Sequence, residues 1–180
     1  MKRKHAIHLA PLCALLLAGC GDPESSANPD AGNTPAAPAL DAVFVDAAPA
    51  DAKAIHVART DAKPGDELVL SGLVMGTMEP FVSGRAAFVL GDPEKLTPCN
   101  QRPDDECETP WDVCCDSNED KLAGTATIQV IGDDKRVLKT AIEGVDGLNK
   151  LSSVVVKGTV ADGSTADALV INATAIHVLQ

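Results

Sequence analysis

Apolar and polar residues alternate with a period of two over several short stretches of this chain, and no stretch sustains a helical period. The clearest alternation is 67–75, where Leu68, Leu70, Gly72 and Val74 share one face and Val69, Leu73 and Met75 the other. Residues 151–160 repeat it with Val154, Val156, Gly158 and Val160 aligned, and residues 169–178 close the chain in the same manner. Further strands are predicted at 54–58, 85–91 and 126–131, the last paired with 136–142 across the Gly132-Asp133-Asp134 turn. Lys63-Pro64-Gly65-Asp66, Gly91-Asp92-Pro93 and Asp162-Gly163 punctuate these runs as turns. One short helix is expected near 143–150, and a long irregular segment occupies 92–120. The fold class is therefore all-β.

Upstream the alternation stops. Residues 21–53 are rich in Ala, Pro, Asp, Ser and Asn, with Pro23, Pro29, Pro35, Pro38 and Pro49 among them. Such a stretch cannot bury enough apolar surface to offset its ordering entropy, so a flexible tether is expected. Its one interruption is the apolar patch Ala42-Val43-Phe44-Val45, read as a sticky spot within the tether, with docking on the domain or a partner as the alternative. Earlier still, Lys2, Arg3 and Lys4 precede an apolar run over 6–18 that ends in Leu17-Ala18-Gly19-Cys20. That order matches a secretory signal, and the run is shorter than the roughly 20 residues a bilayer span needs. It resembles the lipobox of bacterial lipoproteins. The resemblance, which covers only the first twenty residues, implies a signal peptide over 1–19 and acyl chains on Cys20; composition and alternation divide the rest into a tether over 20–53 and a folded domain over 54–180. The resemblance also implies a cell-envelope location, anchored by lipid to the inner or outer membrane, with the domain in the periplasm or at the cell surface.

Two segments carry a second resemblance. Leu68-Val69-Leu70-Ser71-Gly72-Leu73-Val74 and Val154-Val155-Val156-Lys157-Gly158-Thr159-Val160 are valine-rich strands with a glycine in mid-strand, where a sharply curved strand can bend. Between and after them come Leu90-Gly91-Asp92, Thr127 to Val130, Leu151-Ser152-Ser153 and Leu169-Val170-Ile171-Asn172-Ala173. This order resembles the OB-fold, a five-stranded Greek-key barrel, with a β-sandwich as the rival architecture. The resemblance brings with it an association with oligonucleotides and oligosaccharides.

Charge and composition weigh against that association. The formal charge is −11, and loss of the leader would remove three basic residues and no acidic one. A domain so acidic repels phosphate backbones and anionic head groups, so nucleic acid is an unlikely partner and membrane contact is assigned to the lipid. Aromatic residues make up only 2% of the chain, which leaves little for stacking on bases or sugars.

With Cys13 in the leader and Cys20 acylated, Cys99, Cys107, Cys114 and Cys115 remain, all inside the irregular segment. Outside the cytoplasm a clustered even number of cysteines indicates disulfides, here joining Cys99 and Cys107 crosswise to the adjacent pair. The alternative is a metal site of the same four sulfurs, although the paired C-x₂₋₄-C spacing of zinc sites is missing. Around them lies an acidic loop, and Trp111 with Asp104, Asp105 and Asp112 marks a candidate interaction surface. Trp111, the sole indole, is expected to pack over one end of the barrel. His56 and His177 both occur in Ala-Ile-His-Val, and strand pairing would bring them together. No catalytic constellation, phosphate loop or His-Glu-x-x-His motif is present in the sequence, and no cofactor is implied. The sequence thus points to a non-catalytic, lipid-anchored binding module with an envelope protein as partner. The alternatives are a metal-binding or redox accessory lipoprotein and an oligonucleotide or oligosaccharide binder.

Overall fold

The computed structural model describes residues 40–103 and 106–179. The leader, Cys20 and most of the expected tether lie outside the described residues, as do Asp104 and Asp105.

Six strands form one sheet: β1 (Lys53–Ala54), β2 (Glu67–Val74), β3 (Ala87–Gly91), β4 (Thr125–Gln129), β5 (Ser153–Val160) and β6 (Leu169–Val178). The sheet closes on itself in the order β2-β3-β4-β6-β5, with β5 returning to pair with β2. The result is a five-stranded barrel, which excludes the sandwich. All its pairings are antiparallel except β4 with β6, which is parallel. The core is aliphatic, as the scarcity of rings requires: Leu70, Val74, Leu90, Ile128, Val154, Val156, Ile171 and Ile176 are buried, with Phe88 the largest side chain among them. In β2 and β5 the inward positions are those expected from the period-two pattern.

In β6 the alternation breaks. Lys157 pairs with Ala175 but Gly158 with Ala173, so Thr174 is an extra residue that forms a bulge. Inward residues are Leu169, Ile171 and Ala173 before the bulge and Ile176 after it. Gly158 faces the bulge, and a Cβ there would stand 2.4 Å from the Asn172 carbonyl oxygen. Gly72 makes the matching approach on β2, with the Gly91 carbonyl oxygen 2.5 Å from where its Cβ would be. The two mid-strand glycines thus stand where neighbouring backbones come closest.

Three expectations are corrected. Residues 54–58 are not a strand: β1 ends at Ala54 and a short helix, α1 (Ile55–Arg59), follows. Ile55 and Ala58 are three apart and both buried, which a helix achieves and a strand does not. Residues 136–142 contribute only an isolated bridge, Ile131 to Val137. β4 and β5 are separated by β6 in the ring, so the chain between them must cross over, and it buries Ile142 and Leu148 in the core on the way. The helix near 143–150 is reduced to a 3₁₀ turn at Val145–Gly147, broken by positive φ at Gly144, Asp146 and Gly147.

Part of the stretch 40–53, assigned by composition to the tether, is packed on the barrel at 40–45, and Lys53 pairs with β2. Leu40 is 3% exposed within the main core, and Val43 and Phe44 pack against it. Ile176 donates its N–H to the Val43 carbonyl (2.7 Å), and Val45 donates to the Ile176 carbonyl (3.0 Å). The apolar patch is therefore an added strand-like segment on β6.

Candidate functional site

Between β3 and β4 the chain makes the long excursion that holds the four cysteines. It begins at Asp92, the one buried charged residue among the described residues. The Asp92 carboxylate accepts the Glu94 N–H (2.9 Å), the His56 N–H (2.9 Å) and a hydrogen bond from His56 Nδ1 (2.7 Å). The His56 N–H lies in the first turn of α1, where helical donors have no partner of their own. Burial alone would raise the Asp92 carboxyl, but the hydrogen bonds from His56 and Glu94 outweigh it and hold it below the ordinary 3.8. Nothing in the local sequence marks this clamp beyond a Gly-Asp-Pro turn.

Downstream, the loop folds on itself. Cys99 donates its N–H to the Asp112 carbonyl (2.9 Å) and Asn100 to that of Pro110 (3.0 Å), so two strands of loop run side by side. Asp116 accepts the Thr97 N–H at 2.9 Å and pairs with Arg102. Ser117 caps the helix α2 (Asn118–Gly124) by accepting from the Asp120 N–H at 3.0 Å, while its hydroxyl donates to the Asp120 carboxylate. This Ser-x-x-Asp capping signature was present in the sequence and predicts the helix that the alternation did not. Several acidic residues of the loop therefore hold it together, whereas Glu106, Glu108 and Glu119 are exposed.

A second small core docks the loop. Met75, Leu96 and Val113 are buried together, with Leu73, Leu151 and Trp111 against them. Trp111 donates its indole N–H to the Met78 carbonyl (2.8 Å) and carries the Lys150 ammonium 4.3 Å from its ring centroid. Asp112, beside it, accepts the Val113 N–H (2.7 Å).

This folding assembles the sulfurs. Those of Cys99, Cys107 and Cys114 all lie within 4.8 Å of one another, graded from buried through intermediate to exposed. The Cys99–Cys114 separation is 3.6 Å and Cys114–Cys115 is 3.7 Å, both longer than the ~2.05 Å of a disulfide. Hydrogen bonds with the Thr109 hydroxyl (3.2 Å), with the Thr109 backbone and with Cys99 lower the Cys107 thiol below 9.0. Contact with Cys99 lowers Cys114, but Cys115, burial and the neighbouring thiols together raise it.

The outer face of β3 and β4 is the other candidate surface. A cleft of about 290 Å³ is lined by Val89, Thr125, Thr127, Lys121 and Leu122, and a second of about 230 Å³ by Val82, Ala87, Thr127 and Gln129. They share Thr127 and so lie side by side. Met78, Val82 and Leu122 are exposed apolar residues that the sequence reading did not single out. A larger cleft of about 440 Å³ lies beside Arg59, Thr60, Ser164 and Thr165. There the Arg59 guanidinium is engaged with the Ala166 carbonyl (2.8 Å) and that of Thr125.

The two histidines have separate partners. His56 binds Asp92, whereas His177 Nδ1 is hydrogen-bonded to the Val45 carbonyl (2.9 Å). The bulge at Thr174 accounts for the latter, because it turns His177 outward toward the added segment. Compared with known proteins, the chain matches no family model, no curated protein and no solved structure.

Proposed function

We propose that this chain is a non-catalytic binding module of the bacterial cell envelope, an OB-type barrel anchored through an acylated Cys20. The observation that carries the reading is the strand order: counted along the barrel it is 1-2-3-5-4-1, with the third and fifth strands parallel. That arrangement supports the OB assignment, and it leaves the β3–β4 face open as a shallow groove edged by Val82 and Leu122. The groove presents aliphatic and small polar side chains with Arg85, Lys121 and Asp167 among them, and no ring for base or sugar stacking lines it. Its chemistry suits an envelope protein more than a nucleic acid. In an oxidised state the Cys loop is closed by bridges, and the crosswise pairing of Cys99 with Cys114 and Cys107 with Cys115 starts from the 3.6 Å separation.

Two measurements in cells test the proposal. Cys20→Ser moves the protein from the membrane to the soluble fraction; continued membrane association refutes the anchor. A photo-crosslinker at Val82 or Leu122 captures a discrete protein partner, and a charged residue at the other position abolishes capture at unchanged melting temperature. Tight binding of single-stranded DNA at low salt, with no protein captured, overturns the choice of partner.

A further inference from the structure

We propose that the loop, in its thiol form, is a binding site for a thiophilic d¹⁰ cation, with Zn²⁺ held by the sulfurs of Cys99, Cys107 and Cys114. This goes beyond the binding-module reading and does not depend on it.

The inference rests on distance and support. Zinc binds thiolate sulfur at about 2.3 Å, so tetrahedral sulfurs around it stand roughly 3.8 Å apart. The Cys99–Cys114 separation of 3.6 Å falls near that edge, and Cys107 completes a triangle whose sides are all within 4.8 Å. Closing it onto one ion needs a movement of an ångström or less. The spacing in sequence, which argued against a zinc site, is offset by the fold: pairing of 99–100 with 110–112 does what a C-x₂-C turn does elsewhere.

The surroundings hold two of the three cysteines in place. Cys107 is hydrogen-bonded to the Thr109 hydroxyl at 3.2 Å, and the Cys114 carbonyl accepts the Lys121 ammonium at 3.0 Å. That ammonium brings positive charge next to a site where three thiolates on a divalent ion leave one net negative charge. Such outer partners orient ligands and raise affinity. Cys99 is buried while Cys114 is exposed, so the triangle has a dry floor and an open side. Cys115 stands at that side, 3.7 Å from Cys114, as a fourth sulfur that can complete or release the coordination. Three protein ligands with a fourth position open to exchange is the pattern of a site that hands its ion on or works with it, rather than one that only staples a fold.

The test uses the full chain carrying Cys13→Ser and Cys20→Ser, so that only the four loop thiols remain, reduced and then freed of reductant. Zn²⁺ alone is titrated by calorimetry, with Cd²⁺ as the probe whose thiolate charge-transfer absorbance counts coordinating sulfurs. One ion per chain is expected. Cys107→Ser and Cys114→Ser each weaken binding by at least about 100-fold, the upper end of what losing even an outer partner costs. Cys115→Ser keeps the stoichiometry and speeds transfer of the ion to a competing chelator. Far-ultraviolet circular dichroism of Cys107→Ser, whose residue is half-exposed, separates lost ligation from lost folding. Binding below 0.1 ion per fully reduced chain, an adventitious ion only, or equal affinity in Cys107→Ser overturns the proposal. None of these results bears on capture at the barrel face.

Discussion

Gly158→Ala is the sharpest test of how the barrel closes. A methyl group there would stand 2.4 Å from the Asn172 carbonyl oxygen, 2.6 Å from Ile171 Cγ2 and 2.9 Å from the Ala173 Cα. Two of these three neighbours are backbone of β6 at the bulge, so no rotamer change relieves the overlap. Ordinary contact requires β5 and β6 to separate by about 1 Å, which stretches adjacent ladder hydrogen bonds past useful length. Losing two or three such bonds at about 1 kcal/mol each, or accepting the overpacking instead, gives a destabilisation of about 3 kcal/mol. The narrower unfolded ensemble of alanine returns about 0.5 kcal/mol of this. For a domain of about 140 residues the net effect lowers the melting temperature by roughly 8–10 °C. Thermal unfolding followed by circular dichroism reads it directly. Gly163→Ala is the control, because a Cβ there meets nothing within 4 Å, and the narrower unfolded ensemble alone raises its midpoint by about 2 °C. A Gly158→Ala protein that melts within 2 °C of the parent refutes the argument, since β6 would then yield without loss.

Three further outcomes follow from the same geometry. Leu40→Ala, at a site 3% exposed in the core, lowers stability by about 2–4 kcal/mol in urea denaturation, whereas a residue in a free tether changes nothing. Asp92 has its carboxyl held below 3.8 by His56 and Glu94, so it contributes stability that is fully present above that value and is lost as pH falls through the folded value. Asp92→Asn therefore weakens the domain by about 1–3 kcal/mol at pH 7 and flattens the decline in urea midpoint below pH 4; an unchanged pH dependence rules the clamp out. Trp111→Ala removes the ring that packs on Met75, Leu96 and Val113, and about 2 kcal/mol with it, and speeds proteolytic cleavage within 92–124. Unaltered cleavage there shows that the loop is held without the indole.

What the sequence reveals of this fold depends on how locally each element is determined. β2 and β5 are long and face water on one side, so their alternation is a direct record of the barrel wall, and their glycines mark its closest approaches. β6 carries the same signal, but the extra residue at Thr174 shifts its inward set by one, and a bulge leaves no trace in a list of hydrophobic positions. α1 has only five residues, too few to display a period, and it is fixed by a carboxylate 36 positions away. The four cysteines were evident as a group from composition alone. That three of their sulfurs meet, with Cys114 in contact with both Cys99 and Cys115, depends on loop pairing that no spacing rule expresses.

The place of residues 40–54 follows from the shape of the ring. β2 pairs with β3 only at Leu73 and Val74, and β4 pairs with β6 only as far as Asn172, so each leaves a length of strand edge without a barrel neighbour. An open edge is a template for pairing with another chain, and a closed barrel owes its solubility to having none. The upstream segment fills both gaps: β1 lies parallel to β2 at Leu70 and Ser71, and Val43 to Val45 lie along β6 at Ile176. It is drawn there by Leu40 and Phe44, whose burial supplies the apolar area that the alanine and proline around them lack. Composition reads this stretch as spacer because its apolar residues are few, but two well-placed side chains suffice when the backbone has waiting partners.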